Sequence, residues 1–312
     1  MAVLYGVVAN LLWSSALLVP YILPEVSILN LTVGRYIVYG LICCAVIAIY
    51  WRSYESLLFH YARQAIILSI TGKLFYFLCL LNAVKFSGAS STGFVLGLLP
   101  IFMISYTRFV RKENTNQPIL IPFLFIFVGV IILGFARLDR LSELPGSLSD
   151  YLYGLASSIL ALLSWTYYSV KNREFLAKYS NISSIQWGNL LGFYSFILSL
   201  LIFFLPIQSE RSPFNQFLIE CSIFQVFILL YLGVVVTHLG TILWNASSRR
   251  QSSGGMGLYL LILPCSGYLF DVLLGNSVIS VMGVGALIFV VLGTYFLSNK
   301  RAMLRRWSNK SV

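Results

Sequence analysis

The sequence has few charged residues. Only 10 % of its 312 residues are Asp, Glu, Lys or Arg, while 59 % are hydrophobic. Because soluble globular domains contain about 25 % charged residues, this chain has too little polar surface to be covered by water. The scarcity of charge excludes a water-soluble globule and predicts a protein that is solvated by lipid.

Signatures of metal, nucleotide and disulfide chemistry are also missing. The five cysteines and two histidines form no C-x-x-C, no H-E-x-x-H and no other cluster of metal ligands. No phosphate-binding G-x-x-x-x-G-K-[ST] loop occurs, so a gradient would have to supply the energy for any transport. We expect no cofactor, no metal site and no catalytic residue.

What the chain does have is a series of long apolar runs. A helix that crosses a bilayer needs about 20 apolar residues, and runs of this length alternate here with short polar breaks. They predict an all-α integral membrane fold of ten transmembrane helices. The predicted spans are 3–22, 28–50, 64–84, 90–110, 117–136, 151–170, 185–206, 223–246, 254–275 and 279–298.

Basic residues mark one side of the predicted helices. If both termini are cytoplasmic, most of the 21 lysines and arginines fall in cytoplasmic loops or in the tail. This is the bias that the positive-inside rule describes, so both termini are predicted to be cytoplasmic. The net charge of +11 is therefore interpreted as a topology signal and not as a nucleic-acid-binding surface.

The chain resembles itself along much of its length. GFVLGLLP (93–100) matches GLYLLILP (257–264), and the pattern A-x-L-x-W occurs at both 9–13 and 161–165. These matches predict a duplicated chain. Its predicted parts are a first five-helix repeat at 1–136, an extracytoplasmic connection at 137–150, a second five-helix repeat at 151–298 and a basic cytoplasmic tail at 299–312.

An odd number of helices in each repeat places the second copy upside down relative to the first. Inverted repeats of this kind are typical of secondary transporters, whose substrates bind near the middle of the membrane between the repeats. The duplication therefore predicts a transporter of small molecules.

Short motifs recur in both predicted repeats, in the same order. A short apolar motif that contains a tryptophan occurs early in each repeat. Later in each repeat, a run of small residues precedes a proline. The segments are ANLLWSS (9–15), SGASSTG (87–93) before Pro100, ALLSWTYY (161–168), and SSGGMG (252–257) before Pro264.

In this order and spacing, the motifs resemble the ten-helix EamA family of the drug/metabolite transporter superfamily. WTYYSVKNREF (165–175) and LWNASSRR (243–250) are similar to segments of bacterial aromatic amino-acid exporters. The resemblance implies secondary transport of amino acids across a bacterial inner membrane. One departure is at Leu274-Gly275-Asn276, where many members have a glutamate, whereas Glu113 remains in the first copy.

Lys73 is an ionisable residue in the middle of the third predicted span. Charged groups inside hydrocarbon are costly, so they mark functional sites or buried pairs. The repeat relates Lys73 to Thr237, which precedes His238 in the eighth span. We interpret this group as the polar lining of a substrate site; a structural pair for Lys73 and plain packing for His238 are the alternatives. The residues expected beside them are Tyr76, Phe77, Thr241 and Asn245.

Proton coupling is a further hypothesis for this group. The imidazole of His238 titrates near neutral pH, so it is a candidate proton carrier. Arg35 and Asp271 lie nearer the outer ends of their predicted spans. For Arg35 a structural anchor that reaches the interface is favoured, and Asp271 is open to the same interpretation.

Two tryptophans, Trp13 and Trp165, occupy matching positions deep in the two predicted repeats. With Asn10, Tyr168 and Trp244 they are predicted to frame an amphipathic substrate, by stacking on a flat ring or by cation–π contact with an ammonium group. Packing between helices is the alternative for each of them.

Glycines and prolines also occur at matched positions. Gly93, Gly97 and Gly257 would allow close contact between helices, while Pro100 and Pro264 would kink spans four and nine. We hypothesise that these positions let the two repeats rock, so that the site opens to each side of the membrane in turn.

The leading functional hypothesis is a secondary transporter that exports amino acids, with aromatic or apolar ones favoured. Its partners would be a small-molecule substrate and the bilayer. Uptake or exchange of a nucleoside-like metabolite is the rival within the same class. A membrane-embedded lipid-modifying enzyme and a purely structural membrane protein are alternatives from other classes; missing catalytic motifs argue against the first, and the duplicated fold argues against the second.

Overall fold

The described part of the chain is helical throughout its regular structure. The computed structural model describes residues 1–110, 112, 120–138, 147–204, 220–250, 262–275 and 279–298. Within these segments every regular element is a helix, which confirms the predicted all-α class there. The predicted tail at 299–312 and most of the predicted connection at 137–150 lie outside the described residues.

The helices are numbered here in chain order, and some begin at polar caps. The Ser27 hydroxyl accepts the N–H of Asn30 at 3.1 Å where the second helix starts, and Ser222 and Gln225 form a reciprocal cap where the ninth starts. The bounds are α1 Ala2–Ile22, α2 Ile28–Ile49, α3 Trp51–His60, α4 Ala62–Leu96, α5 Leu99–Val110, α6 Leu120–Leu138, α7 Leu148–Lys178, α8 Ser184–Phe204, α9 Ile223–Ser248, α10 Ile262–Leu273 and α11 Val281–Ser298.

Each of the ten predicted spans overlaps a described helix. Five of these helices, α1, α2, α4, α8 and α9, are long and apolar enough to cross a membrane. The structure therefore agrees with an integral membrane protein. The count of ten membrane crossings and the inverted repeats remain predictions.

The third and fourth predicted spans are separated by a single residue and not by a loop. α4 continues through both regions, and its one non-helical residue is Gly88, with φ of 88° and ψ of 159°. Glycine adopts this backbone conformation without a steric penalty. A sharp break at Gly88 therefore takes the place of the expected connection.

α3 is a short amphipathic helix between the second and third predicted spans. Tyr54 and Leu58 are buried, whereas Trp51 and Phe59 are exposed. The Tyr54 hydroxyl accepts a hydrogen bond from Nδ2 of Asn189 at 2.7 Å, which ties α3 to α8. Exposed tryptophans such as Trp51 are enriched at membrane interfaces.

The chain divides into two compact units. The first consists of Met1–Leu81 and Lys171–Arg249, and the second of Asn82–Val170 and Arg250–Val312. Each unit combines segments from both predicted repeats, and α4 and α7 contribute residues to both units. The repeat boundaries describe a sequence duplication and remain a prediction.

Helices in the first unit approach closely at glycines. A Cβ atom on Gly40 of α2 would overlap Phe196 of α8, and one on Gly233 of α9 would overlap Val38 of α2. Small residues let membrane helices pack backbone to backbone, which gains dispersion energy where no hydrophobic effect operates. α2 is held in this way between α8 and α9.

The second unit shows the same kind of packing between α6 and α11. A Cβ atom on Gly129 would lie 2.8 Å from the carbonyl oxygen of Ala286. α7 likewise meets α4 where Gly154 lies against the backbone of Ser87. These contacts leave little room for larger side chains at the glycine positions.

Candidate functional site

Lys73 lies on a π-helical turn of α4, Ile70–Phe75, inside the first unit. Its side chain is 3 % exposed, and its Nζ donates a hydrogen bond to the Thr241 hydroxyl of α9 at 2.6 Å. The structure thus brings together two residues that the sequence placed in one site. π-Helical turns are rare and occur frequently at functional sites.

Arg35 of α2 provides a second cation in the same unit. Its side chain is 5 % exposed, so it does not reach the interface as the anchoring hypothesis supposed. Its Nε donates to the Thr237 hydroxyl at 2.5 Å, and its guanidinium carbon lies 3.9 Å from the centre of the Phe77 ring. Arg35 therefore contacts Phe77, a predicted site residue, although Arg35 itself was not predicted at the site.

Two threonines of α9 accept hydrogen bonds from these cations. Thr237 and Thr241 are four residues apart, so they are separated by about 6 Å along a helix axis. Thr237 also donates its own proton to the carbonyl oxygen of Leu232 at 2.6 Å, which fixes the hydroxyl as an acceptor for Arg35. The result is a pair of hydroxyl–cation contacts along one helix.

The interior charge of the first unit is positive. Among its described residues, the buried charged side chains are Arg35 and Lys73, and both are cations. A group with negative charge would be attracted to this region more strongly than in water, because the surroundings have a low dielectric constant.

Aromatic rings surround the two cations. Nζ of Lys73 lies 6.0 Å from the centre of the Tyr39 ring, and Tyr36 meets Phe77 edge to face with centroids 6.1 Å apart. The Tyr39 hydroxyl donates to the carbonyl oxygen of Gly188 at 2.5 Å, which fixes the ring in place. Tyr76, also predicted at this site, is only partly buried.

His238, the predicted proton carrier, lies at the edge of this group. Its Nδ1 is 3.7 Å from the Cys43 sulfur, and its ring centre is 5.9 Å from that of Tyr39. Tyr39 therefore borders both Lys73 and His238. Tyr39 and Cys43 were not predicted, although they follow Arg35 at steps of four residues and so form one stripe on α2.

Asn245 is engaged in a network of side chains and not with Lys73. Its Oδ1 accepts from Nδ2 of Asn172 at 2.9 Å, and Oδ1 of Asn172 accepts from the Trp187 indole at 2.7 Å. This buried chain of hydrogen bonds connects α7, α8 and α9. Its geometry fits a role in positioning α9, since buried networks with good geometry rigidify their surroundings.

Trp13 and Trp244, two of the residues predicted to frame a substrate, form an aromatic pair. Their ring centroids are 5.3 Å apart, and a Cβ atom on Gly240 would lie 2.6 Å from Nε1 of Trp13. Asn10 is 1 % exposed; its Nδ2 donates to Gly6, while its Oδ1 has no hydrogen-bond partner among the described residues. Asn10 thus keeps a buried acceptor one turn from the tryptophan pair.

Trp165 and Tyr168 belong to the second unit, whereas the other predicted substrate-lining residues belong to the first. Both are buried, and their ring centroids are 4.9 Å apart. Their predicted contact with a substrate remains a prediction.

The predicted packing positions also lie in the second unit. A Cβ atom on Gly93 would lie 2.9 Å from the Leu263 carbonyl oxygen and 3.0 Å from Cα of Pro264, and one on Gly97 would lie 3.3 Å from Val290. The structure therefore brings Gly93 and Pro264 together. Gly257 lies outside the described residues.

Pro100 lies at the beginning of a helix and not within one. It is in the first turn of Leu99–Ser105, where a missing N–H costs no hydrogen bond. The kink expected at Pro100 is therefore a short interruption between α4 and α5.

Comparison with known proteins supports the fold and the family. Residues 1–135 match the EamA-like transporter family. Inner membrane protein YtfF of Escherichia coli is 22 % identical over 303 residues, which cover 93 % of this chain and 92 % of YtfF. A probable amino-acid metabolite efflux pump of Salmonella typhimurium is 24 % identical over 223 residues, which cover 70 % of this chain and 71 % of the pump.

A solved crystal structure of a protein 20 % identical in sequence covers 98 % of both chains with a TM-score of 0.66. This similarity extends the shared fold to nearly the whole chain. The match over residues 1–135 confirms the resemblance to the EamA-like transporters that the motifs predicted, and the apolar helices agree with an integral membrane protein.

Proposed function

We propose that this protein is a secondary transporter of small amphipathic metabolites that carry an acidic group, in the first place amino acids with aromatic or apolar side chains. The observation that carries this proposal is the pair of buried cations, Arg35 and Lys73, held on Thr237 and Thr241 of one helix. Transport would proceed by alternating access without chemical change to the substrate.

The charge of the site favours an acidic substrate group. Two buried cations in one unit repel each other and have lost most of their hydration, so a carboxylate that joins them offsets both costs. Arginine also suits a carboxylate because its planar guanidinium donates two parallel hydrogen bonds. Lys73 and Arg35 would bind the carboxylate. Each cation would then give up its hydrogen bond to Thr241 or Thr237.

The rings near the cations favour an aromatic or apolar remainder. Phe77 and Tyr36 meet edge to face, and a flat substrate ring could join such a cluster with similar geometry. Trp13, Trp244 and the buried acceptor of Asn10 would suit an ammonium group. The name of the Salmonella typhimurium relative, a probable amino-acid metabolite efflux pump, points to the same substrate class.

Flux measurements in proteoliposomes test this proposal. The panel contains radiolabelled phenylalanine, tryptophan, leucine, a nucleoside and a nucleoside monophosphate, each with and without a pH gradient. Saturable flux of phenylalanine or tryptophan is expected. Phenethylamine, which lacks the carboxylate, should compete at least about tenfold less well than phenylalanine, because the site's buried polar groups would stay unpaired.

Lys73→Ala, measured beside native protein, is expected to abolish the flux. Lys85→Ala is the matched control, because Lys85 is an exposed lysine on the same helix. Native flux in a folded Lys73→Ala protein would contradict the proposed site. Flux of the nucleoside or its monophosphate, without flux of any amino acid, would instead support the hypothesis of a nucleoside-like substrate.

A further inference from the structure

The guanidinium group of Arg35 has hydrogen-bond donors that no described residue accepts. An arginine side chain carries five N–H donors in one plane. Nε of Arg35 donates to Thr237, whereas Nη1 and Nη2 make no hydrogen bond to any residue that the structure describes. Only 5 % of the residue is exposed. Since buried donors normally have a protein group, a water molecule or an ion as partner, these N–H groups indicate that something else binds here.

Two aromatic rings lie beside this guanidinium group, and one of them adds a further donor. The guanidinium carbon is 3.9 Å from the centre of the Phe77 ring and 5.5 Å from that of the Tyr36 ring. Such cation–π contacts attract the charge as a whole, but they leave the individual N–H groups without an acceptor. Tyr36 is 2 % exposed, and its hydroxyl group makes no hydrogen bond within the described part of the chain. Unused donors therefore occur on two neighbouring residues of α2.

Lys73 adds a second positive charge to the same region. Its Nζ donates to Thr241, one turn along α9 from the threonine that contacts Arg35. No described acidic residue of the first unit is buried to balance these charges. The described acidic residues of this unit are Glu25, Glu55, Glu174 and Glu220.

The buried carboxylate of the described chain belongs to the second unit. Asp271 of α10 is 1 % exposed. Its Oδ2 accepts the backbone N–H of Ser90 at 2.7 Å, and its Oδ1 accepts that of Ala89 at 3.3 Å. These amides follow the break at Gly88, where the first N–H groups of a helical segment have no acceptor within the helix. Asp271 therefore serves main-chain groups of its own unit, and the negative charge for the first unit is expected from a ligand.

We propose that Arg35, Tyr36 and Lys73 form a binding site for a small monovalent inorganic anion such as chloride, which occupies the site when no substrate carboxylate does. An anion accepts hydrogen bonds from the unused donors and also offsets the charge of the two buried cations. A water molecule would accept hydrogen bonds but would leave the charge unbalanced. Only the competition between anion and substrate rests on the proposed function.

The surroundings of the guanidinium group favour an anion with a single charge. Burying a charge costs hydration, and the cost is higher for a doubly charged ion such as sulfate than for chloride. The rings of Phe77 and Tyr36 cannot replace the lost water. A spherical ion also accepts hydrogen bonds from any direction, so it suits donors that come from three different side chains.

The anion and a substrate carboxylate would exclude each other, because both would use the same donors. By thermodynamic linkage, each ligand then lowers the affinity of the protein for the other by the same factor. Binding of a substrate would therefore release the inorganic anion.

Thermal unfolding of the full-length protein in detergent tests the anion site without any substrate. Sodium chloride replaces sodium MES, the salt of a bulky sulfonate, up to about 200 mM at constant ionic strength, so that screening stays the same. Chloride is expected to raise the unfolding temperature by about 3 °C, because a ligand that binds only the folded state stabilises it. The rise should saturate as binding to a single site does, whereas a general salt effect would keep growing with concentration.

Three variants locate the effect. Arg35→Met should unfold at the same temperature in both salts. Tyr36→Phe keeps the ring and loses one donor, so about fivefold more chloride should be needed for half of the rise. Arg63→Met, at an exposed arginine of α4, is the matched control and should behave like the native protein. A native protein without a saturable chloride effect would overturn the proposal, and so would an Arg35→Met or Tyr36→Phe protein with the native chloride curve.

Phenylalanine distinguishes failure of the anion site from failure of the proposed function. When phenylalanine is bound, chloride should add less to the unfolding temperature. A chloride effect that is lost in Arg35→Met but unchanged by phenylalanine would support the anion site and contradict the amino-acid assignment. Phenylalanine flux in proteoliposomes, with no chloride effect on unfolding, would overturn the anion site and leave the amino-acid assignment in place.

Discussion

The two compact units differ in what their buried charges contact. In the first unit, Arg35 and Lys73 meet threonine hydroxyls and aromatic rings. In the second unit, Asp271 meets backbone amides, beside a glycine packed against the neighbouring backbone. Side-chain groups contact the first pair of charges, whereas two main-chain amides contact the second charge.

The two kinds of contact differ in how easily they can be exchanged for a contact with a ligand. A cation held by a hydroxyl oxygen can transfer to a ligand when its own side chain changes rotamer, and this exchange requires no movement of a helix. A carboxylate that caps a broken helix cannot let go without freeing main-chain groups, which must find other partners. We therefore expect a substrate to compete for the cations of the first unit, whereas the contact of Asp271 in the second unit holds main-chain groups in place.

The largest expected effect concerns the glycines of the second unit. Gly267→Ala places a Cβ atom on the Ala89 carbonyl, and we expect it to destabilise the protein by about 3 kcal/mol, the upper end of overpacking costs. Gly285→Ala is the matched control, since a Cβ atom there would have nothing within 4 Å. Thermal unfolding in detergent measures both. Equal stability of the two variants would show that the second unit adapts more easily than its packing indicates.

An intermediate effect is expected at Arg35. Arg35→Met fills a similar volume without charge, so we expect the folding stability to stay near the native value while phenylalanine flux falls about 30-fold through loss of a charged hydrogen bond to the substrate. Flux and thermal unfolding are measured on the same preparation. If the unfolding temperature and the flux fell together, Arg35 would be a structural residue. The proposal that the buried cations of the first unit bind substrate would then be wrong for Arg35.

The smallest effect is expected at Thr241. Thr241→Val keeps the shape of the side chain and removes the acceptor for Lys73, so we expect phenylalanine flux at low concentration to fall about fivefold through loss of one hydrogen bond. Thr241→Ser retains the hydroxyl and should stay close to native flux. Concentration dependence of the initial rate distinguishes weaker binding from slower movement. Identical behaviour of the valine and serine variants would mean that the hydroxyl plays no part in the site.

Some of the site could be found from sequence because an ionisable residue in an apolar span is unusual in itself. Lys73 was identified in this way, and the internal repeat led from it to α9, where Thr241 receives its hydrogen bond. Tyr39 and Cys43 could not be identified by composition, since aromatic and apolar residues fill every face of these helices. Their only signal was the four-residue spacing from Arg35.

The contact of Asp271 with Ala89 and Ser90 could not be derived from sequence at all. It joins a side chain to main-chain groups that are far away along the chain, and backbone amides leave no trace in a residue pattern. Gly88 was visible as part of a small-residue run, but its positive φ was not. A short break was predicted between the third and fourth spans, and the structure confines it to Gly88, because one glycine can turn the helix without additional residues.

The sequence by itself determined that this protein is a helical membrane protein with cations inside it. Few charges and long apolar runs favour membrane-spanning helices over other folds, because a bilayer requires every backbone group to be satisfied within its own helix. The tertiary structure alone decided which groups those charges contact. Helices that are apolar on most faces do not reveal which face packs on which neighbour, so Arg35 on Thr237, Lys73 on Thr241 and Asp271 on the end of a broken helix emerge only when the helices are packed.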